Sequence, residues 1–458
     1  MYLNDCFRYL NLEMPDAIRR HKACGNFSEA IRLIDRTLAD PDTTEGMKKC
    51  LTAQREMITR YALDFPYTRE EALAIAREKI PDLTEEEFDE RTDKNQIHWI
   101  YIDGQIRYFD RFFSTVCKTD PSFAKRAGVV LPGAESGGAE HHLDRVMRIM
   151  KEKGEISNRI RIKATVRVKD EYFEPGMFVR AHLPIPKACD QQSEIAIESF
   201  SPAGAIIAPE DAPQRTICWE TTLQENCDFT VTYSYVHKER YYDTETMHGD
   251  PVQPDFSTQE EPPHIMFTPA IRDLAATLTE GVTDPLEKAR RFYDYITLKM
   301  HYTFQPAYFS LENIADACAR NRTGDCGVLA LLFLTLCRCA GIPAEWESGL
   351  TAEPAFIGAH DWVRFYIAPY GWLHADPSYG TGAVRMKNET RRRFYFGNLD
   401  AYRMVANRAF QAPFMPDKHY WRCDPYDNQL GEIETADRGL MYHEFIRSKE
   451  CLLCEELD

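Results

Sequence analysis

Hydrophobic residues change their spacing twice along this chain, and the two changes divide it into three segments. In residues 1–135 they recur at helical intervals. The stretch FSEAIRLIDRTLAD puts Ala30, Ile31, Ile34, Leu38 and Ala39 on one stripe, with Ser28 as a cap. YTREEALAIAREKI and LTEEEFDERT predict two more helices, whose acidic first turns suit the positive end of the helix dipole. IHWIYIDGQIRYF then alternates on either side of Asp103-Gly104, a strong signal for a tight hairpin. The segment reads as a mainly helical accessory domain with a β-hairpin. Nothing basic lines a recognition helix, which argues against a winged-helix nucleic-acid reader.

The small residues of LPGAESGGAEH mark a linker. Across residues 150–240 the period drops to two. RIRIKATVRV, MFVRAHLPI, SEIAIESF, RTICWETTL and FTVTYSYV predict five short strands, and so a small antiparallel, sandwich-like domain. The proline- and acid-rich ETMHGDPVQPDFSTQEEPPH marks the second boundary. Residues 262–458, the third segment, open with helices, the second of them capped by Asp284 with Pro285 in its first turn. The expected fold class is α+β.

Composition narrows the partners. A formal net charge of -17 opposes nucleic acid or an anionic membrane as a general partner, because both demand a basic face. The one dense basic run, Arg391 to Arg393, reads as a solvated loop. Charged residues punctuate the N-terminal stretch, so no secretory signal is expected there, and the longest apolar run, Val328 to Cys337, is too short for a bilayer. The fourteen scattered cysteines therefore read as reduced thiols in the cytoplasm. His419, Cys423, Cys451 and Cys454 do not form a compact zinc pattern, and free cysteine is the preferred reading; no metal or cofactor is expected.

The candidate chemistry lies in RTGDCGVLALLFLTLCRCAGIPAEW. Thr323, Gly324 and Asp325 are loop and cap residues, and Gly341 and Pro343 stop the apolar run between. A helix apolar on nearly every side belongs in the middle of a domain. Cys326 then sits at its N-terminal tip, where unpaired N–H groups favour thiolate and could stabilise an oxyanion. Gly327 would leave room for a substrate backbone. Downstream, HDWVRFYIAPYGWLHADPSYG reads as strand, turn and strand, with His360 beginning the first and Asp376 ending the second. A tight turn centred on Pro369 and Tyr370 would set His360 opposite Tyr379, so an irregularity is needed to bring Asp376 to the histidine. With that proximity, His360 would pair with the thiolate and Asp376 would orient the ring. His301 and His374 are weaker alternatives.

With these residues in place, the stretch from about Thr268 to Gly380 resembles the transglutaminase-like superfamily, whose core is related to papain-like thiol enzymes. The matching pieces are DPLEKARRFYDYI, GDCGVLALLFLTLCRCAGIPAEW, HDWVRFY and WLHADPSYG. The resemblance puts the nucleophile on Cys326, the histidine on His360 and the acid on Asp376. It implies a central helix packed on an antiparallel sheet, within a catalytic domain at 262–458. Papain-type enzymes place a glutamine before the cysteine as an oxyanion donor; here ACARNRTGD has none. Tyr302 is the preferred substitute, ahead of Asn321 and Trp362. FYFGNLDAYRMVANR extends the domain without an assigned chemical role.

The expected function is a thiol enzyme that acts on an amide bond of a peptide or protein through an acyl-enzyme, as a peptidase or amidase. Protein-glutamine acyl transfer shares the first half of that chemistry. A catalytically silent protein-binding scaffold is the alternative from another class. Oligomeric state is not legible.

Overall fold

The computed structural model describes residues 3–130, 141–306 and 308–457. Residues 131–140 of the expected linker lie outside them. The N-terminal helices form where the spacing predicts them. Thr68 caps Arg69–Lys79 in a full capping box with Glu71, and Thr84 caps Glu85–Asp93. Ser28 is not a cap. Its helix begins at Phe27, and Ser28 instead donates from its backbone N–H and hydroxyl to the Asp103 carboxylate. That bond ties the helix to the hairpin Trp99–Ile102 and Gln105–Tyr108, whose turn residues Asp103 and Gly104 both have positive φ.

The middle segment forms two four-stranded antiparallel sheets around a shared core that includes Ile160, Ile162, Ala181, Trp219 and Tyr233. One of the four strands in each sheet comes from the C-terminal part of the chain, outside residues 150–240. Glu432–Glu434 pairs with Met177–Pro184, and Phe445–Leu457 pairs along Glu155–Val168. The long Glu155–Val168 strand would otherwise present a free edge, and covering such an edge is a common way to prevent wrong pairing.

The third segment is built around the helix Cys326–Cys339, in which every residue from Gly327 to Arg338 is buried. Helices Pro269–Leu278, Pro285–Lys299 and Ile314–Asn321 pack around it, as do strands Ala344–Glu353 and Phe356–Ile367. Those two strands belong to a five-stranded sheet ordered Phe396–Gly397, Gly371–Ala375, Phe356–Ile367, Ala344–Glu353, Arg403–Asn407. Asp284 and Pro285 start their helix as expected.

The basic run at 391–393 is no solvated loop. It lies in the helix Glu389–Phe394, where Arg391 reaches Asp144 and Arg392 reaches Asp294 and Glu389. Three arginines in a row read as solvated only while their distant carboxylate partners are out of view. Among the described residues, no helix is long and apolar enough to cross a membrane.

Candidate active site

Asp325 caps the buried helix, accepting from the Val328 N–H at 3.4 Å and from the Tyr308 hydroxyl. Cys326 follows at the tip and is partly accessible. The space above Gly327 is not open, contrary to expectation: a Cβ there would run into the Tyr308 ring. Gly327 admits the tyrosine that bonds to the cap.

The hairpin carrying His360 and Asp376 departs from the expected register. Ile367 pairs with Gly371 and Val363 with Ala375, so three residues, Ala368 to Tyr370, form the loop. Adding one residue to a two-residue turn slips the register by one. Continued along the strands, this register sets Asp376 beside Trp362, two residues from His360 and on the same face. No bulge is needed. His360, which lies inside Phe356–Ile367 and not at its start, bonds through Nε2 to Asp376 Oδ2 at 2.7 Å.

Asp376 is fully buried and is held on several sides. It caps Pro377–Arg385 by accepting from the Tyr379 N–H at 2.8 Å, and Arg403 Nη1 donates to its Oδ2 at 2.9 Å. Burial alone would raise this carboxyl, yet His360 and Arg403 keep it below its ordinary range. Arg403, itself without solvent exposure, donates through Nη2 to Asp400 Oδ2 at 2.6 Å. Asp400 also accepts from the Tyr395 hydroxyl at 3.0 Å. The stretch FYFGNLDAYRMVANR thus supplies a brace behind the His–Asp pair. Its spacing gives no hint of this, because the contact depends on Arg403–Asn407 joining the sheet next to Ala344–Glu353.

The thiol has a different partner. Cys326 Sγ donates to Asp361 Oδ2 at 3.3 Å, and no hydrogen bond joins Sγ to the His360 ring. His360 and Asp361 are chain neighbours, and strand alternation sends their side chains to opposite faces. Gln429 Nε2 clamps this step, donating to the His360 carbonyl at 2.9 Å and to Asp361 Oδ1 at 2.6 Å. Burial, followed by the nearby Asp361 and Asp325 carboxyls, pushes the Cys326 thiol well up. The resting sulfur is therefore protonated, against the lowering expected from the helix tip alone. Burial and the adjacent Asp427 push the Asp361 carboxyl up as well.

Tyr302 lies close to Cys326 because the two-residue strand His301–Tyr302 pairs in parallel with Thr323–Gly324. Its hydroxyl accepts from Lys118 Nζ at 3.1 Å. Burial and the neighbouring Cys326 and Asp325 raise the phenol well above its usual value, so it stays a neutral donor. Trp362 is committed elsewhere, its indole N–H donating to Glu347 Oε2 at 2.7 Å. Asn321 is exposed at the end of its helix. His374 bonds to Gln191 at 2.6 Å, and His301 is exposed. Cys423 donates to the Leu440 carbonyl at 3.0 Å, while Cys451 and Cys454 lie on Phe445–Leu457.

The family model described as the transglutaminase-like superfamily matches residues 272–377, a span that holds Cys326, His360 and Asp376. The chain carries a transglutaminase-like core. Two curated proteins share this region with it. The uncharacterized protein YebA of Bacillus subtilis is 26% identical over 129 residues, 24% of this chain and 17% of the relative. A protein-glutamine gamma-glutamyltransferase of Pseudomonas aeruginosa is 29% identical over 96 residues, 19% of this chain and 14% of the relative. The chain thus spans less than a fifth of the length of either.

Among solved structures, a provisionally assigned cysteine protease from Cytophaga hutchinsonii is 15% identical with a TM-score of 0.44, over 66% of this chain and 91% of that one. The periplasmic domain of TgpA from Pseudomonas aeruginosa is 18% identical with a TM-score of 0.28, over 51% of this chain and 92% of that one. The transglutaminase-like core of the present chain is the part that joins the buried helix to the histidine hairpin. Superfamily members are typically cysteine enzymes.

Proposed function

We propose that this protein is a cysteine-nucleophile enzyme that acts on amide bonds, with Cys326, His360 and Asp376 as its catalytic residues. The observation that carries the reading is the His360–Asp376 pair at 2.7 Å, braced by the buried Arg403, one chain step from the carboxyl that holds the Cys326 thiol. Sγ must first leave Asp361 and come within hydrogen-bond reach of the ring. His360 Nδ1 then takes the thiol proton, and Sγ adds to the carbonyl carbon of the substrate. The Tyr302 hydroxyl and the N–H groups at the helix tip face the developing oxyanion. As the tetrahedral intermediate collapses, the C–N bond breaks and His360 returns its proton to the departing amine. Water, deprotonated by the same ring, then cleaves the thioester and regenerates the thiol.

Hydrolysis of a peptide or other amide is the reading we favour. Acyl transfer to a lysine amine would replace water in the second half, and the similarity to a protein-glutamine gamma-glutamyltransferase keeps that arm in the test. The fourteen unpaired cysteines support a reducing compartment, the cytoplasm, as the setting. Incubating the full chain with a glutamine-containing peptide and a labelled amine separates the reactions. We expect peptide cleavage or ammonia release without label. Incorporated label would assign acyl transfer, and no covalent change in any substrate, glutamine peptides and denatured casein included, would leave only a binding scaffold.

A further inference from the structure

We propose that Lys118, Arg111 and Arg385 form an anion-recognising subsite beside Cys326, which selects substrates carrying a carboxylate next to the bond under attack. The proposal deepens the function above and rests on Cys326 being the nucleophile. The three cations converge on two rings. Lys118 Nζ lies 4.4 Å from the centre of the Tyr302 ring and 5.0 Å from that of Phe304. The Arg111 guanidinium lies 3.8 Å over Phe304, and that of Arg385 lies 5.4 Å over Tyr302. Tyr302 pairs with Gly324, two residues before the nucleophile, so the cluster borders the thiol.

Among the described residues, these three clustered cations have no carboxylate within ion-pair distance. The chain has 72 acidic and 55 basic residues, so carboxylates are in excess, and several cations of the same helical segment are paired. Arg55, Arg69, Arg91 and Arg126 each hold a carboxylate. Among the described residues, Arg385 Nη1 is buried with no hydrogen-bond partner. Lys118 is solvent-accessible, yet enough protein surrounds it that burial lowers its pKa.

Asp110 precedes Arg111 in the chain and accepts from its backbone N–H, and the two carboxyls nearest the thiol are already engaged. Asp325 accepts from Tyr308 and Val328, and Asp361 accepts from Cys326 and Gln429. Burial raises both. An incoming carboxylate therefore meets cations with free donors. Arg111 and Lys118 belong to the Phe112–Thr119 helix and its cap, whereas Arg385 ends Pro377–Arg385. The helical segment and the catalytic core would build the subsite jointly, giving the accessory domain a role in substrate choice.

Two alkylating reagents of similar size test this without a known substrate. Iodoacetate is an anion and iodoacetamide is neutral, and modification at Cys326 can be read by peptide mass spectrometry on the full chain. The iodoacetate-to-iodoacetamide rate ratio at Cys326 is expected to exceed that of the same cysteine in denatured protein by about tenfold or more at low salt. The ratio should fall in Lys118→Met and Arg385→Met, and stay in Lys94→Met, which removes an exposed charge of the same segment. Reaction with iodoacetamide but no preference for iodoacetate would end the subsite and leave the nucleophile standing. A thiol inert to both would end both.

Protection of Cys326 from iodoacetamide then identifies the carboxylate. Acetyl-Gly-Glu-amide protecting best assigns an acidic side chain, and acetyl-Gly-Gly with a free terminus assigns a chain end. Protection by neutral acetyl-Gly-Gln-amide equal to either would overturn the proposal, as would no protection by any of the three.

Discussion

Cys326→Ala is expected to lower turnover by at least about a thousandfold while leaving the fold in place. Removing the sulfur removes the atom that forms the acyl-enzyme, and no neighbour can replace it. The thiol's hydrogen-bond partner, the Asp361 carboxyl, is pushed well up and is a poor nucleophile when protonated. The helix beneath does not depend on the thiol: its cap is Asp325, and its buried face begins at Gly327. Its urea midpoint should therefore change little, since one small group at a partly open helix tip is lost. Cleavage assays on wild type and variant at matched folded concentration check this. Retained cleavage would remove Cys326 from the mechanism.

Arg403→Met should carry the largest stability cost of any single change near the site, about 3–5 kcal/mol. The guanidinium is without solvent exposure and serves two buried carboxylates, Asp376 and Asp400. Methionine preserves much of the volume but leaves both acids without their cation. The His360 ring would then be held by a carboxyl whose remaining partners are His360 itself and the Tyr379 N–H. Activity should fall with stability. Denaturant unfolding of wild type and variant measures the first effect, and assays well below the unfolding range isolate the second. A variant as stable as wild type would show that the Arg403–Asp376–Asp400 cluster is not what secures the histidine.

The candidate site was more legible in the sequence than the frame around it, because its residues come with local patterns. The all-apolar run after Asp325 could only be a buried helix, and Cys326 therefore had to lie at its tip. The pairing of His360 with Asp376 was expected from the hairpin, but for the wrong geometric reason. A three-residue loop gives the shared face directly, where a two-residue turn would have denied it. Loop length around Pro369 cannot be read from alternation, since it shifts every later pair by one. The protonated state of the thiol was also hidden. Helix-tip arguments see the backbone, whereas Asp361 approaches from a strand 35 positions away.

What sequence pattern missed entirely depends on distant chain segments meeting. Arg403 and Asp400 become a brace only when the last strand of the core sheet forms beside Ala344–Glu353. Arg391 and Arg392 are buried because Asp144 and Asp294 approach from other helices. Phe445–Leu457 alternates weakly and carries Cys451 and Cys454, so its role as an edge-covering strand of the middle segment could not be inferred locally.

The central claim is that His360 activates Cys326, although the resting thiol bonds to Asp361. The rate of Cys326 alkylation by iodoacetamide, followed from pH 6 to 9 in wild type and in His360→Ala, tests it most directly. The account predicts a wild-type rate well above that of the variant near neutral pH, with the difference shrinking as the pH rises and hydroxide deprotonates the thiol without help from the ring. Identical profiles for the two proteins would contradict it.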